Sequence, residues 1–447
     1  MAEAMISDLE RLLWTARTAW WALPEKSFAW WSPEAVESAQ ARRLRALLRH
    51  AAARIAFYRD WLRSAGAEPD DVRSVNDLRR LPLIGKQDYD AQPERFTDPS
   101  CSDGLTLESS GTAGRSRTIR YDAAALFRAL AAGGRQRLVL RHFVGKEFGY
   151  REAVVHREGS VSRQLRRWWE ARLGLPAGIE LRRLWLSPLL PYPKLLDELN
   201  AFRPEVIRGY GSHLGAFCRW VAAEGRRLER PRAVIYGADT MSPADRRLIE
   251  TELGVPVLST YQAVEALRLG FECEQRAGFH LSLDQVDVRI VDAQGRDLPA
   301  GVPGEVVISN LTNRATVVLN YRLGDVARFV PGRCACGRSL PRLAGLEGRT
   351  SDLIRRRDGS RWAASAVLAP LQAVPGVHRL QLVQEGFDDF RLRVAWGPRA
   401  EPLWSELRAK MEEIFGAGAR ISVESADSME AEPSGKVKTI ICRMGES

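Results

Sequence analysis

The chain has 447 residues, 45% of them hydrophobic, with 36 glycines and 23 prolines, enough to bury a large core and to divide into two or more domains. Its net charge of +10 is spread through mixed stretches such as DDVRSVNDLRR and ADRRLIETELG; a solvated, locally paired surface comes first, an anionic substrate next and nucleic acid last, so no nucleic-acid partner is expected. No apolar run is long enough to cross a bilayer and MAEAMISDLERLL carries acids where a secretion signal carries lysine and arginine, so the expectation is a cytoplasmic protein without stable membrane insertion.

Trp14, Trp20, Trp21, Trp30 and Trp31 crowd the opening segment; packing on the protein's own core is expected of them ahead of contact with a membrane surface. From about Glu37 to Arg63 the pattern is helical, with Leu44, Leu47, Leu48 and Ile55 at helix spacing. SVNDLRRLP reads as a short helix capped by Ser74, with Asp77 in its first turn. GLTLE and TIRYD read as strands on either side of SSGTAGRSR. Further along, RAVIYGAD, SPADRRLIETELG and VPVLSTYQAVE predict strand, helix and strand, Ser242 capping the helix, Pro243 opening it and Gly254 ending it. That spacing suits a βαβ crossover in a parallel sheet, and it brings Asp239 and the stretch Tyr261 to Glu265 to the carboxyl ends of neighbouring strands, where open α/β sheets bind ligands. After Asp287 the alternation of DVRIVD and EVVISN predicts a β-rich sheet or small barrel. GRTSDLIRRRDG reads as a charged linker. Beyond it a helix near Ala364 to Gln372, strands VHRLQLVQ and DFRLRVAW, helix LWSELRAKMEEIF and strand ARISVES predict a compact α+β unit. The fold class is thus α/β, with a large domain over 1–348 holding parallel-sheet subdomains and a β-rich subdomain, and a small mobile α+β domain over 349–447.

The loop Ser109 to Arg117 has the composition of a phosphate clamp: Gly111 and Gly114 permit close backbone approach, Ser109, Ser110 and Thr112 donate, and Arg115 or Arg117 supplies charge. It is not a Walker loop, because no lysine follows the glycines and the next segment reads as a strand. A Ser/Gly turn joining two strands is the plainer alternative.

Read with four later stretches, the loop resembles that of the adenylate-forming enzymes, the superfamily of acyl-CoA synthetases, peptide-synthetase adenylation domains and luciferase. YQAVE stands where that family has Tyr-Gly-x-Thr-Glu, YRLGD where it has Tyr-Arg-Thr-Gly-Asp, GRTSDLI where it has Gly-Arg-x-x-Asp-x-Ile, and PSGKVK carries its Gly-Lys pair. FYRDWLRSAGAEPDDVRSVNDLRRLPLIGKQDY is similar to the phenylacetate-CoA ligase branch and its capsular-polysaccharide-associated relatives. The resemblance implies ATP-dependent activation of a carboxylic acid, by resemblance aryl, to an acyl adenylate with release of pyrophosphate, then transfer to coenzyme A. Alternatives are transfer to an amine or carrier protein, or a degenerate nucleotide-binding protein without catalysis; a homodimer stays open.

Carried over by resemblance, Ser109, Ser110, Gly111, Thr112, Gly114 and Arg115 hold the ATP phosphates, and Glu265 holds Mg²⁺. Gly237, Ala238, Asp239 and Tyr261 line the adenine, Asp325 accepts the ribose hydroxyls, and Arg349 contacts ribose or phosphate. Lys436 bridges the carboxylate and α-phosphate, with a hinge at Thr350, Ser351 and Asp352. The acid pocket draws on Tyr210, Gly211, Tyr236, Gln262 and Ala263. Gln262, Val264, Ala113 and Arg115 depart from the family pattern, which allows a different acyl pocket, slower adenylation or lost activity. Six cysteines in a chain of this length fit reduced thiols or metal ligands, and Cys273, His280, Cys334 and Cys336 form a candidate structural zinc site, which the branch resemblance favours.

Overall fold

The computed structural model describes residues 7–108, 117–174, 182–350, 354–358, 361–362, 364–397, 400–426, 429 and 439–444. The chain opens with helices α1 (Asp8–Ala22), α2 (Glu25–Phe28), α3 (Pro33–Arg54) and α4 (Ala56–Ser64). The single helix expected over 37–63 is two. It starts earlier, where Ser32 accepts a hydrogen bond from the Ala35 backbone and Pro33 takes the first position, and it breaks at Ile55, which is extended at φ −117° and ψ 116°. The break lets α4 turn Tyr58 into the core, where its hydroxyl donates to the Val317 carbonyl at 3.0 Å and accepts from the Leu319 N–H at 3.1 Å. At 75–80 the expected helix is a 3₁₀ turn, and the Asp77 carboxylate accepts from both the backbone and the hydroxyl of Ser74. A short helix, α5 (Lys86–Ala91), follows.

Strands β1 (Gly104–Glu108) and β2 (Thr118–Asp122) pair antiparallel, with Glu108 opposite Thr118, so the SSGTAGRSR loop closes a hairpin. The Asp122 side chain then caps α6 (Ala123–Ala132) by accepting from Ala125 N–H, and α7 (Gly134–Val144) continues. The α/β portion runs β3 (Arg151–Val155), α8 (Val161–Arg172), β4 (Arg182–Leu186), α9 (Tyr192–Phe202), β5 (Val206–Tyr210), α10 (Gly211–Ala223), β6 (Ala233–Gly237), α11 (Pro243–Thr251) and β7 (Val257–Tyr261). All neighbouring pairs from β4 through β3, β5 and β6 to β7 are parallel, as the crossover pattern requires. Leu195, Leu199, Leu214, Phe217 and Ile249 cover one face of this sheet, and Val139, Leu140 and Tyr150 the other; burial on both faces explains why its strands read as continuous apolar runs.

Strands β8 (Gly270–Glu272) and β9 (Phe279–Leu281) then extend the sheet antiparallel. Strands β10 (Val286–Val291), β11 (Gly304–Asn310) and β12 (Tyr321–Ala327) form an open meander rather than a barrel. After β13 (Phe329–Val330) and β14 (Arg342–Leu343) complete a nine-stranded sheet, β15 (Gly348–Arg349) joins the meander beside β12. Part of the expected linker is therefore strand: β16 (Ile354–Arg355) also lies within it and pairs with β17 (Arg361–Trp362) just beyond.

The last unit holds α12 (Ala364–Gln372), β18 (Val377–Gly386), β19 (Asp389–Trp396), α13 (Trp404–Phe415), β20 (Arg420–Ser425) and β21 (Ile440–Cys442). Its sheet runs β20-β19-β18-β21 over its own core of Leu371, Leu380, Leu382, Leu392, Leu407, Met411 and Ile440.

Candidate active site

Three adjacent parallel strands, β5, β6 and β7, end at one edge, and the chain emerging from each supplies part of a site. At the end of β5 the backbone enters α10 through Gly211, which has no room for a side chain: a Cβ there would stand 2.7 Å from Met241 N and from the Tyr236 ring. The Asp239 carboxylate, expected along the adenine, accepts from Gly211 N–H at 2.5 Å and from the Ser212 hydroxyl, so it anchors the start of α10. Ala238, beside it, sits at φ +66°, a left-handed conformation that costs a residue with a Cβ about 1 kcal/mol or more and that clusters at functional sites. Tyr210 stacks on His156 with ring centroids 4.6 Å apart. Tyr236 lies next to Gly211, while Gln262 is exposed and Ala263 half-buried after β7.

The densest chemistry lies past β7. Tyr261 is buried and its hydroxyl donates to Asp325 Oδ2 at 2.8 Å; Asp325 faces Arg349 across β12 and β15, with Arg349 Nε 3.6 Å from its other oxygen. Glu265 is 6% exposed. No side chain among the described residues bonds its carboxylate, and burial pushes that group above the usual carboxylate range, with Asp325 adding to the rise and Lys86 and Arg117 opposing it. A buried carboxylate without a side-chain donor suits a hard divalent cation such as Mg²⁺.

Lys86, at the start of α5, joins these groups, a residue that no motif singles out. Its ammonium, held below its usual range first by burial and then by the charge of Arg349, faces Asp325 and Glu265. It passes directly over Gly324: at φ +80°, a Cβ there would lie 2.4 Å from Lys86 Nζ. In the sequence Lys86 stands in LIGKQDY, within the stretch that resembles the phenylacetate-CoA ligase branch, with no motif of its own.

Ser109, Ser110, Gly111, Thr112, Gly114, Arg115, Ser351, Asp352 and Lys436 lie outside the described residues. The hairpin bearing the loop is nonetheless tied to the Glu265 turn, because the Tyr121 hydroxyl donates to the Val264 carbonyl at 2.6 Å. Arg117, at the loop's end, pairs with Asp90. Thr350 donates to the Gly324 carbonyl at 3.4 Å.

At the antiparallel end of the nine-stranded sheet, Cys273, His280, Cys334 and Cys336 offer ligand atoms that all lie within 4.8 Å of one another. The Cys273 and Cys334 sulfurs are 3.7 Å apart and Cys336 Sγ is 3.3 Å from His280 Nε2, close to the edges of a tetrahedron with metal–sulfur bonds of about 2.3 Å. His280 Nδ1 faces the Leu340 carbonyl at 3.1 Å, which places the proton there and leaves Nε2 free to ligate. Burial holds His280 neutral, down to about 4, and raises Cys273 to about 12. At Cys336, burial is outweighed by N–H groups of Arg338, and the thiol falls below its ordinary value. The donor set fits zinc.

No protein-family model matches the chain. Among curated proteins it is 28% identical to the phenylacetate-coenzyme A ligase of Thermus thermophilus, over 87% of each chain, and 27% identical to that of Escherichia coli strain K12, over 72% of this chain and 73% of the relative. Its fold matches a 2-hydroxyisobutyryl-CoA ligase in the postadenylation state with a TM-score of 0.72 at 20% identity, covering 93% of this chain and 92% of the other. An amide bond synthetase from Marinactinospora thermotolerans matches with a TM-score of 0.55 at 18% identity, over 74% and 67%. Among the described residues no helix is long and apolar enough to cross a membrane. Sequence relatives and fold agree with the motifs: the chain is similar to phenylacetate-CoA ligases and shares the fold of the adenylate-forming CoA ligases.

Proposed function

We propose that the protein is an ATP-dependent, AMP-forming acid–CoA ligase that acts on an aryl carboxylic acid. The observation that carries the reading is the meeting of Tyr261, Asp325, Arg349, Glu265 and Lys86, drawn from four separate stretches, at the carboxyl edge of a parallel sheet. In the first step the acid's carboxylate oxygen bonds to the α-phosphorus of ATP while the bond to pyrophosphate breaks. In the second the coenzyme A sulfur bonds to the acyl carbon and AMP leaves. Both steps gather anions, so the site must supply positive charge and fixed orientation.

Asp325, oriented by Tyr261 and Arg349, accepts the ribose hydroxyls. Lys86, Arg117 and the SSGTAG loop meet the phosphates, and Lys436 bridges the acid and the α-phosphate. Glu265 holds Mg²⁺, which supplies charge neutralisation at the phosphates when bound. Residues 1–348 and 349–447 act as two lobes with the hinge at Thr350–Asp352, and a zinc ion on Cys273, His280, Cys334 and Cys336 fixes the extended edge of the large sheet. The protein works in the cytoplasm.

ATP–pyrophosphate exchange over a panel of aryl, fatty and amino acids tests the reading: an aryl acid should give exchange, Lys436→Ala should lower it about 10²–10³-fold, and added coenzyme A should yield the thioester. Exchange without thioester moves the acceptor to an amine or carrier protein; no exchange with any acid leaves a nucleotide-binding protein. Metal analysis of protein purified without added zinc should find about one equivalent, lost in Cys334→Ser along with part of the stability; a folded, metal-free protein removes the zinc ion from this account.

A further inference from the structure

Helix α1 has two apolar faces and uses one. Trp14 turns inward and stacks on Phe127 at 4.5 Å, and Trp21 lies under the guanidinium groups of Arg17 and Arg128 at 4.8 and 4.2 Å. The opposite face presents Leu9, Leu12, Leu13, Ala16 and Trp20, with Leu23 just beyond the helix, on one stripe at the three- and four-residue spacing of a helical surface. Its large members are 59–71% exposed. Core packing therefore claims only part of the aromatic opening, and Trp20 belongs to the solvent side.

At the end of α1 a cavity of about 450 Å³ opens between Trp20, Trp21, Leu23, Arg43, Arg128 and Gln285, with Glu25 also on its wall. Arg43 pairs with Asp284, and Glu25 with the buried Arg135. Arg17 and Arg128 have no carboxylate partner among the described residues, and Arg128 is drawn down to about 10 by burial and then by the like charges of Arg43 and Arg17. An apolar stripe thus borders a recess in which Arg128 has no paired carboxylate among the described residues.

We propose that α1 and this recess dock the protein on an anionic phospholipid bilayer, the leucine–tryptophan stripe lying at the headgroup–acyl boundary and a lipid phosphate drawn to Arg128 at the recess, with Arg17 adding charge from the other contact on Trp21. A helix of 15 residues spans about 22 Å, short of the about 30 Å hydrocarbon core, so it lies in the surface plane. The exposed stripe offers roughly 600 Å², at the limit of a monomer's ordinary patch and below the about 800 Å² per partner of a stable dimer, which favours a lipid surface over a second copy. The net charge of +10 adds long-range attraction to anionic lipid. None of this depends on the ligase reading.

The test is co-sedimentation of the full chain with vesicles of phosphatidylcholine alone or with about 30% phosphatidylglycerol, at about 0.1 M salt. Binding should be about tenfold stronger to the anionic vesicles and weaken as salt rises. Leu12→Glu combined with Leu13→Glu should reduce it at least about tenfold, and Arg17→Gln with Arg128→Gln about five- to tenfold with a flatter salt dependence. Circular dichroism and the urea midpoint check that each variant folds; Arg17→Gln alone carries the charge arm if Arg128→Gln does not. Absence of binding by the intact chain, or equal binding to both vesicles, overturns the proposal. A dimer by light scattering that the leucine substitutions dissolve overturns it too, by assigning the stripe to a second copy.

Discussion

Glu152 and Glu265 are both buried carboxylates at the large sheet, 1% and 6% exposed, and the protein treats them in opposite ways. Glu152, the second residue of β3, is held by Arg183 at 2.6 Å and Arg208 at 3.0 Å; burial works against its charge, but the two guanidinium groups win and bring it down to about 2. Glu265, at the edge, has among the described residues the opposing charges of Lys86 and Arg117 without a bond to either, and burial wins. A buried acid bonded by two arginines belongs to the architecture, and one that no described side chain bonds marks where a cation from outside would complete the balance.

The largest effect that sharpens this contrast is Glu152→Gln. It strands two arginines, and urea unfolding should show a loss of about 3–5 kcal/mol. The pH dependence follows from the sign of the shift. A carboxyl whose folded value lies near 2 against an ordinary 4.5 contributes fully above pH 4.5 and loses that contribution as pH falls toward 2, so wild-type and Gln midpoints should converge on acidification. For Glu265 the folded value is raised, so its ionised form burdens stability at neutral pH and protonation relieves it. A Glu152→Gln protein as stable as wild type at pH 7 would break the comparison.

Next in size, Glu265→Gln should lower pyrophosphate exchange about 10²–10³-fold while the urea midpoint at pH 7 stays level or rises. A large drop in stability would instead make Glu265 a structural acid like Glu152. Smallest is Tyr261→Phe, which frees one oxygen of Asp325. The loss of a charge-assisted bond worth about 1.5 kcal/mol should appear as an about tenfold rise in KM for ATP with kcat little changed; an unaltered KM would detach Asp325 from the nucleotide.

Much of this architecture was legible because local and tertiary signals agree. Ser242, Pro243 and Gly254 delimit α11 in the sequence, and the flanking apolar runs became β6 and β7 in parallel register. The break at Ile55 was not legible, since the helical pattern runs through it and only the burial of Tyr58 under the chain at 317–319 decides it. Asp239 sits where the family motif places an acid, yet its partners are the N–H and hydroxyl groups of α10, which spacing does not reveal. Lys86 escaped because its neighbours Gly324 and Asp325 arrive far downstream, and a lone lysine opening a short helix looks like surface.

The hydrogen atom that serves Gly324 as a side chain constrains how this chain can diverge. Lys86 Nζ occupies the volume that any larger residue at 324 would need, so a substitution there must evict the ammonium before it can fit. Saturation libraries at position 324 should therefore keep glycine even where 86 has been shortened, because the left-handed backbone at φ +80° strains every residue that carries a Cβ.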